Sequence, residues 1–300
     1  MIELHPVTLE DKAWIDPLVW AEGSSSADFN FGNIFLWDNS FHQQVGRLND
    51  RVLVLPCYEE KPFFAWPVGT GDPAPVLAEM AAYARAQGFP FTIRGVTQDH
   101  LPLLPQLFPG RHAVVSERPL WDYIYSAEKL ATLAGKKLHG KRNHINRFET
   151  ENQWTFAPLT PADFPECMAL LKEWLLENPE DLDAGASDEY MAISRAFKYY
   201  EPLGMEGGIL RIEGRPVAFT LGEPVCEHTF VVHFEKARAE INGAYPMVNR
   251  EFVRLIRQKH PKVQWINRED DMGLESLRQS KESYHPDHMV EKYTVVIDYE

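Results

Sequence analysis

The stretch LHPVTLED, residues 4–11, returns later in the chain as FAPLTPAD, residues 156–163. Each copy begins with an apolar residue, continues after one further residue with proline and a second apolar residue, and ends in threonine, two further residues and aspartate. This pattern is typical of a strand that leads into a helix, because the threonine caps the helix and the aspartate reaches back to it. Pro161 suits the first helical position, where its missing N–H costs nothing. The repeat therefore predicts two similar halves.

The order of predicted elements supports this duplication. The first half is predicted to contain, after an initial helix, an aromatic segment FNFGNIFLW (29–37), a hairpin at Asn49-Asp50, a strand FFAW (63–66), a helix near 74–87, a strand FTIR (91–94), a helix near 98–107 and a strand WDYIY (121–125).

The second half repeats the alternation of strands and helices. Its predicted elements are helices 161–177 and 188–201, strands ILRIE (209–213), PVAFTLG (216–222) and TFVVHFE (229–235), a helix 244–259, a strand VQWIN (263–267), a helix 273–282 and a strand YTVVIDY (293–299). We therefore predict an α/β fold with two mixed sheets flanked by helices. The predicted domains are 1–125 and 151–300, joined by a basic connecting helix region, 126–150.

Composition excludes several classes of protein. The 300 residues carry a formal net charge of −14, which argues against a protein that coats nucleic acid through clustered basic residues. Cys57, Cys167 and Cys226 lack the spacing of a metal site or a disulfide framework. Pro286 prevents the helix that would align His285 with His288, so we predict no metal. No apolar stretch approaches the roughly 20 residues that span a bilayer. We expect a cytoplasmic protein.

The connector concentrates positive charge within an acidic chain. Its basic residues are Lys136, Lys137, Lys141, Arg142 and Arg147. One interpretation is a solvated helix face, which charge runs usually form. The other is a face that binds phosphate, since Arg142, Asn143 and Asn146 offer planar, fork-like donors suited to phosphate or carboxylate. The sequence leaves both interpretations open, with a slight preference for the second.

A second charged segment, WINREDDMGLESLRQSKESYHP (265–286), begins as a short strand. Asp270 and Asp271 precede the predicted helix, so capping explains these two charges. Capping does not explain Asn267 and Arg268, which leave the strand before any helix starts. We therefore treat Asn267 and Arg268 as candidate substrate-binding residues.

Three stretches resemble the catalytic domain of the phosphatidylglycerol lysyltransferases. They also resemble, more distantly, the peptidoglycan-bridge aminoacyltransferases that use charged tRNA. The stretches are GKKLHGKRNHINRFE (135–149), HFEKARAEINGAYPMVNREFV (233–253) and LRQSKESYHP (277–286) with the later EKY. The order of elements is similar to the acetyltransferase fold of the general N-acyltransferases (GNAT), here in tandem. The resemblance covers roughly the last 170 residues and implies an acyl or aminoacyl transferase.

The resemblance also implies where the chemistry lies. Glu235 and Lys236 end the strand that borders the substrate cleft of this fold, where a carboxylate can take a proton and an ammonium can stabilise negative charge. Lys281 occupies the place of a lysine in the matching stretch of the lysyltransferases, and Arg278 shares its helix face. Tyr284 ends this helix, where acetyltransferases often carry the acid for the leaving group. A core tyrosine is an equally good interpretation.

The donor stays open between two substrates. Gly243 and Ala244 match the loop that binds acyl-coenzyme A, but Glu240 begins the run and Tyr245 ends it, which disfavours a pyrophosphate. Aminoacyl-tRNA, held by a local contact, is the preferred donor, and no other cofactor is predicted. The acceptor is an amine or hydroxyl of a small molecule or lipid head group. A non-catalytic ligand-binding module on the same fold is the remaining alternative, and the sequence does not indicate the oligomeric state.

Overall fold

The structure, a computed structural model, describes residues 2–177 and 186–298. The chain forms two compact units, and each unit draws on separate parts of the sequence. The first comprises Met1–Tyr123, Asp270–Arg278 and Met289–Glu300, and the second comprises Ile124–Glu269 and Gln279–His288. Among the described residues, no helix combines the length and the apolar character that crossing a membrane requires.

The elements of the first unit come mostly from the amino-terminal part of the chain. They are β1 (His5–Pro6), α1 (Lys12–Glu22), α2 (Phe31–Leu36), α3 (Asp38–Phe41), β2 (Gln44–Leu48), β3 (Arg51–Leu55), β4 (Cys57–Tyr58), β5 (Lys61–Pro62), β6 (Phe64–Ala65), α4 (Ala74–Gln87), β7 (Thr92–Thr97), α5 (Leu104–Leu107), β8 (His112–Ser116) and β9 (Asp122–Ser126). The last strand, β9, continues into the second unit.

The remaining elements follow the connector. They are α6 (Ala127–Thr132), α7 (His139–Glu151), β10 (Trp154–Pro158), α8 (Phe164–Glu177), α9 (Ala186–Lys198), α10 (Tyr200–Leu203), β11 (Glu206–Ile212), β12 (Arg215–Cys226), β13 (Thr229–Ala237), α11 (Ala244–Lys259), β14 (Trp265–Asn267), α12 (Glu275–Glu282), β15 (His288–Val290) and β16 (Lys292–Ile297). The sequence prediction gave the bounds of α4 and α11 correctly, whereas α5 is shorter than predicted because prolines interrupt the segment.

Mixed sheets flanked by helices form the framework, as predicted. One sheet has the order β6-β7-β16-β8, and a larger one has the order β10-β11-β12-β13-β14-β9-β15. A third sheet, β1-β2-β3, contains the predicted hairpin at Asn49, whose backbone is left-handed at φ 55°. In the second unit α11 packs on β11, β12 and β13, and α8 packs on β12 and β13.

Both copies of the repeated stretch form the predicted cap. The Asp11 carboxylate accepts hydrogen bonds from the amide and hydroxyl of Thr8, at 2.8 and 3.0 Å. The Asp163 carboxylate accepts the same two bonds from Thr160, at 2.9 and 2.8 Å. In each copy a short strand ends just before the threonine, and a helical turn follows it. The local structure predicted from the repeat is therefore confirmed at both positions.

The last strand of each predicted half pairs with strands of the other predicted half. β9 pairs with β14, while β16 pairs with β7 and β8. A buried lysine explains the position of β16: the Lys292 ammonium lies 2.5 Å from Asp28 and 2.7 Å from Asp122, and only 2% of the residue is exposed. These ion pairs anchor β16 in the first unit. Tyr299, the end of the predicted strand, lies outside the described residues.

A glycine allows β12 and β13 to approach closely. The register between these strands shifts at Leu221/Gly222, and a Cβ on Gly222 would lie 2.0 Å from the Val231 carbonyl oxygen. We predict that Gly222→Ala lowers the free energy of unfolding by about 1–3 kcal/mol, because the strands must move apart. Gly140→Ala is the control, since Gly140 lies in α7 with open space at its Cβ position. It should raise this free energy by up to about 1 kcal/mol.

Urea unfolding of the two variants measures both effects. Equal stability of the Gly222 variant and the parent would show that the strands tolerate a side chain at this contact.

Candidate active site

Strands β13 and β14 lie side by side over only three residue pairs. Thr229 pairs with Trp265, and the last pair joins Val231 to Asn267, where β14 ends. β13 continues alone on this side to Ala237. The carboxyl end of β14 therefore leaves a gap in the sheet, beside the last part of β13.

A buried ion pair occupies this gap. Arg268, the first residue after β14, donates from Nη2 to Oε1 of Glu235 on β13 at 3.0 Å. Asn249 on α11 donates from Nδ2 to the other carboxylate oxygen, also at 3.0 Å. The side chains of Arg268 and Glu235 are 10% and 8% exposed. Each charge therefore depends on the other, because water solvates neither of them well.

Two cations lie against one buried tyrosine ring. The Arg268 guanidinium is 4.8 Å from the ring centroid of Tyr284, and the Lys141 ammonium from α7 is 4.1 Å from it. Burial raises the pKa of Tyr284, although Arg268 opposes this rise, so the phenol stays protonated at neutral pH. Burial and the charge of Arg268 lower the pKa of Lys141 to about 8, with Glu235 acting against them.

Lys281 completes the cluster. Its ammonium donates a hydrogen bond to the Arg268 carbonyl oxygen at 2.5 Å, and the residue is buried. The Tyr125 hydroxyl donates to the Lys281 carbonyl at 2.8 Å, which fixes the end of α12. The structure thus brings together four of the predicted site residues, namely Glu235, Arg268, Lys281 and Tyr284.

Lys236 and Arg278, which were also predicted as site residues, have partners of their own. Lys236 follows Glu235 on β13 and so projects from the opposite face of the sheet, where its ammonium contacts Glu189 at 2.7 Å and the Trp174 ring at 3.8 Å. In the first unit, Arg278 donates two hydrogen bonds of 3.0 Å to Asp271.

The buried carboxylate of Asp271 explains several charges of the second charged segment. It accepts a hydrogen bond from the Gly273 amide at 2.9 Å, as the capping interpretation predicts. It also accepts bonds from Arg118 at 3.1 Å and from the Tyr123 hydroxyl at 2.7 Å, within the first unit. Asp271 therefore organises a buried network in addition to ending a turn.

The connector residues mostly bind the chain itself. Arg142 donates to the backbone carbonyls of Leu133 and, at 2.7 Å, Gly135. The Asn143 amide nitrogen lies 3.2 Å from His139, and Asn146 is exposed on α7. The phosphate-binding role of these three residues stays a prediction. Lys141 is the connector residue that reaches the cluster, and the charge count alone did not single it out.

Asn267 has a structural task at the end of β14. It is fully buried, and its side-chain oxygen accepts a hydrogen bond of 2.6 Å from the Glu269 amide. Glu269 adopts a left-handed backbone with φ 56°. Asn267 therefore stabilises the turn that carries Arg268 out of the strand.

The start of α11 is closely covered by α7. Gly243 has a left-handed backbone, and a Cβ there would lie 2.6 Å from the His144 carbonyl oxygen. The Ala244 amide donates to Ile241 at 3.2 Å, and the Met247 amide donates to Gly243 at 3.0 Å. The third helical position is a proline, which has no amide hydrogen. Three of the first four helical positions therefore offer no free donor to a phosphate.

A histidine that the sequence analysis missed lies two residues before Glu235 on β13. The two ring nitrogens of His233 lie 2.8 Å from Glu269 and 3.1 Å from Glu223, and the ring is buried. Burial lowers its pKa, but both carboxylates raise it, and the outcome is a pKa of about 9. Its position two residues before Glu235 was the available signal, but a register shift between β12 and β13 at this point breaks the simple alternation of strand faces.

An open groove of 810 Å³ lies at the other end of β14. Its lining includes Arg254, Arg257 and Trp265. The ion-paired cluster lies beyond the carboxyl end of the same strand, so the groove and the cluster are separate features. We place the candidate active site at the cluster, because the buried charges and the shifted pKa values are there. Within residues 2–177 and 186–298, no group of acidic, histidine or cysteine side chains could hold a metal ion.

We predict that Glu235→Gln lowers the free energy of unfolding by about 3–5 kcal/mol, because it leaves the Arg268 charge buried without its counter-ion. The double variant Glu235→Gln/Arg268→Met should recover most of this loss, since it removes both charges. Glu227→Gln is the control, because Glu227 pairs with Lys262 at the surface. Urea unfolding of all three variants measures these differences, and a double variant as unstable as Glu235→Gln would contradict the pairing.

The raised pKa of His233 predicts that the free energy of unfolding depends on pH. Because its pKa in the folded chain lies above the ordinary histidine value, its contribution is complete below about pH 6.5 and is lost as the pH rises through about 9. We expect the parent to lose more stability than His233→Gln between neutral pH and pH 10. Urea unfolding across this range measures the difference, and identical pH profiles would show that His233 is not charged in the folded state.

Comparison with solved structures supports the predicted fold class. A conserved protein of unknown function from Bacteroides thetaiotaomicron VPI-5482 is 36% identical, with a TM-score of 0.95 over 99% of this chain and 100% of that one. L-PGS from Bacillus licheniformis is 15% identical, with a TM-score of 0.69 over 98% and 93%. A tandem GNAT protein from the clavulanic acid biosynthesis pathway is 12% identical, with a TM-score of 0.50 over the full length of both chains. The α/β, tandem GNAT-like fold is confirmed.

Sequence comparison gives the family. An uncharacterised protein of Mycoplasmoides gallisepticum is 28% identical over 186 residues, which are 59% of this chain and only 56% of that relative. The family model described as phosphatidylglycerol lysyltransferase, C-terminal, matches residues 22–296. The chain belongs to the family of the phosphatidylglycerol lysyltransferase C-terminal domain.

Proposed function

We propose that this chain transfers an aminoacyl group from charged tRNA to an amine or hydroxyl acceptor. The observation that carries the proposal is the position of Lys281. Its ammonium lies within hydrogen-bond distance of the Arg268 backbone, beside the buried Glu235–Arg268 pair, where β14 ends. The family match adds a reaction class in which an aminoacyl ester reacts with a nucleophile.

The proposed reaction needs a cation close to the attacked carbonyl. The nucleophile forms a bond to the ester carbon, and the carbonyl oxygen becomes a negatively charged tetrahedral oxygen. When this intermediate collapses, the ester C–O bond breaks and the tRNA oxygen leaves as a hydroxyl, and the proton that it takes up is balanced by the proton that the attacking amine or hydroxyl loses. A preorganised ammonium, such as that of Lys281, stabilises the charge that develops only in the transition state.

The neighbouring groups suit different tasks. Both oxygens of Glu235 already accept hydrogen bonds, so its main task in this proposal is to hold Arg268 in position. To act as the predicted proton acceptor, Glu235 would first have to release one of these partners. Tyr284 keeps its proton because burial raises its pKa, and a neutral phenol can protonate the leaving oxygen.

The coenzyme A alternative has less support from the geometry. In the predicted coenzyme A loop, the pyrophosphate would need free amides at the start of α11. Most of the first positions are occupied or lack a hydrogen, and Gly243 lies against the backbone of α7. The aminoacyl-tRNA donor needs no such phosphate cradle at this helix.

A transfer assay tests the proposal. We would incubate the chain with tRNA charged with a mixture of labelled amino acids, and with phosphatidylglycerol vesicles or a small-molecule cell extract as acceptor. We expect label to move to one acceptor fraction, and Lys281→Met to reduce the rate at least about 100-fold by removing oxyanion stabilisation. Lys262→Met is the matched control, because Lys262 is exposed and pairs with Glu227.

Two outcomes would contradict the proposal. The first is undiminished transfer by a folded Lys281→Met variant, which would remove the role of this lysine. The second is label transfer from acetyl-coenzyme A with none from charged tRNA, which would support the coenzyme A alternative. Binding of charged tRNA without any transfer would instead support a non-catalytic module.

A further inference from the structure

The surroundings of Tyr284 carry more positive than negative charge. Lys141 and Arg268 approach the ring from two different segments, and Glu235 is the carboxylate that interacts with both of them. One carboxylate cannot neutralise two cations. Gathering like charges in a partly buried place costs free energy unless an anion joins them.

Two donors of this cluster lack an acceptor. Nη1 of Arg268 is buried, and no hydrogen-bond acceptor of the described residues satisfies it. The Lys141 ammonium contacts the face of the Tyr284 ring, and no hydrogen bond is found for it in the described part of the chain. A buried cationic donor without an acceptor is costly, which points to a ligand that supplies negatively charged oxygens.

We propose that Lys141 and Arg268 form a subsite for a phosphodiester group near the 3′ end of the RNA donor, with Lys141 as the residue that selects an anion there. This inference rests on the proposed function, because it names the part of the donor that the same site binds. A phosphate oxygen between the two cations gives Nη1 of Arg268 its acceptor and gives Lys141 its counter-charge.

The depth of the cluster favours RNA over a membrane surface. The Arg268 side chain is nine-tenths buried, and Tyr284 is almost completely buried. Lys141 is only half-buried, so a single-stranded 3′ end can approach the cluster at this residue, whereas the head groups of a flat bilayer present their phosphates in a plane. The net charge of −14 also means that attraction must come from this local cluster.

Phosphate binding at this subsite should depend on pH. In the free chain, the pKa of Lys141 is about 8, below the ordinary lysine value. A neighbouring phosphate raises it, so binding above pH 8 requires proton uptake. Affinity is therefore complete below pH 8 and falls as the pH increases further. The charged or titratable groups that face Lys141 are Glu235, Arg268 and Tyr284.

RNA binding without aminoacylation tests the subsite independently of the reaction. The probe is a short fluorescent RNA that ends in single-stranded CCA, titrated by anisotropy at about 50 to 200 mM salt. We expect Lys141→Met to weaken binding and to reduce the slope of log affinity against log salt by about 0.7, the value of one lost contact on a single strand. Lys172→Met, which removes an exposed charge on α8, should change neither quantity.

A pH series separates the charge of Lys141 from its packing. Between pH 7 and pH 9 the parent should lose about tenfold in affinity for the RNA. Lys141→Arg should bind the RNA at pH 7 and lose little affinity at pH 9, because guanidinium stays charged. The inference is overturned if Lys141→Met leaves affinity and salt slope unchanged, or if phosphatidylglycerol vesicles bind through Lys141 while the RNA does not.

The two proposals fail in different ways. RNA binding that depends on Lys141, without any aminoacyl transfer, supports the subsite and removes the proposed enzyme. Aminoacyl transfer with RNA binding that is indifferent to Lys141 supports the enzyme and removes the subsite.

Discussion

Where β14 stops, the part of β13 that carries Glu235 has a neighbouring strand on one side only, and the guanidinium of Arg268 occupies the open side. This buried ion pair fixes the first residue beyond β14 against β13, with Asn249 holding the second carboxylate oxygen. Other groups of the cluster depend on that position. Lys281 binds the Arg268 carbonyl, and Tyr284 lies under the guanidinium. A buried pair of this kind contributes little net stability. Its main effect is to hold Arg268, and the groups that contact it, in position.

The cluster contains groups that are unfavourable for the stability of the folded chain, which indicates that they serve a function. Nη1 of Arg268 has no acceptor among the described residues, and the nearby ammonium of Lys141 has a lowered pKa. A chain selected only for stability would fill such a gap with apolar side chains. The cluster keeps cations at the place where the sheet opens, which suits a reaction that develops negative charge.

Much of the fold was predictable because its signals are local. The bounds of α11 follow from the hydrophobic stripe of Val248, Phe252 and Ile256, and the capping boxes follow from the spacing of threonine and aspartate. The pairing of each half's last strand with strands of the other half was not predictable from the hydrophobic pattern of the sequence. It depends on Lys292, whose two aspartate partners are distant in the sequence. Long-range ion pairs leave no periodic signal.

The site shows the same division between local and distant signals. The resemblance led to Glu235, Arg268, Lys281 and Tyr284, which the structure brings together. Strand alternation places Lys236 on the opposite face, an argument that was available from the sequence. Lys141 was one of many connector charges, and only its contact with Tyr284 distinguishes it.

A crystal structure with a short CCA-ended RNA that carries an amide-linked aminoacyl group tests the account most directly. The account predicts the amide carbonyl oxygen within hydrogen-bond distance of the Lys281 ammonium, at the carboxyl end of β14. An analogue bound instead in the groove near Trp265, with the cluster unchanged, would contradict it.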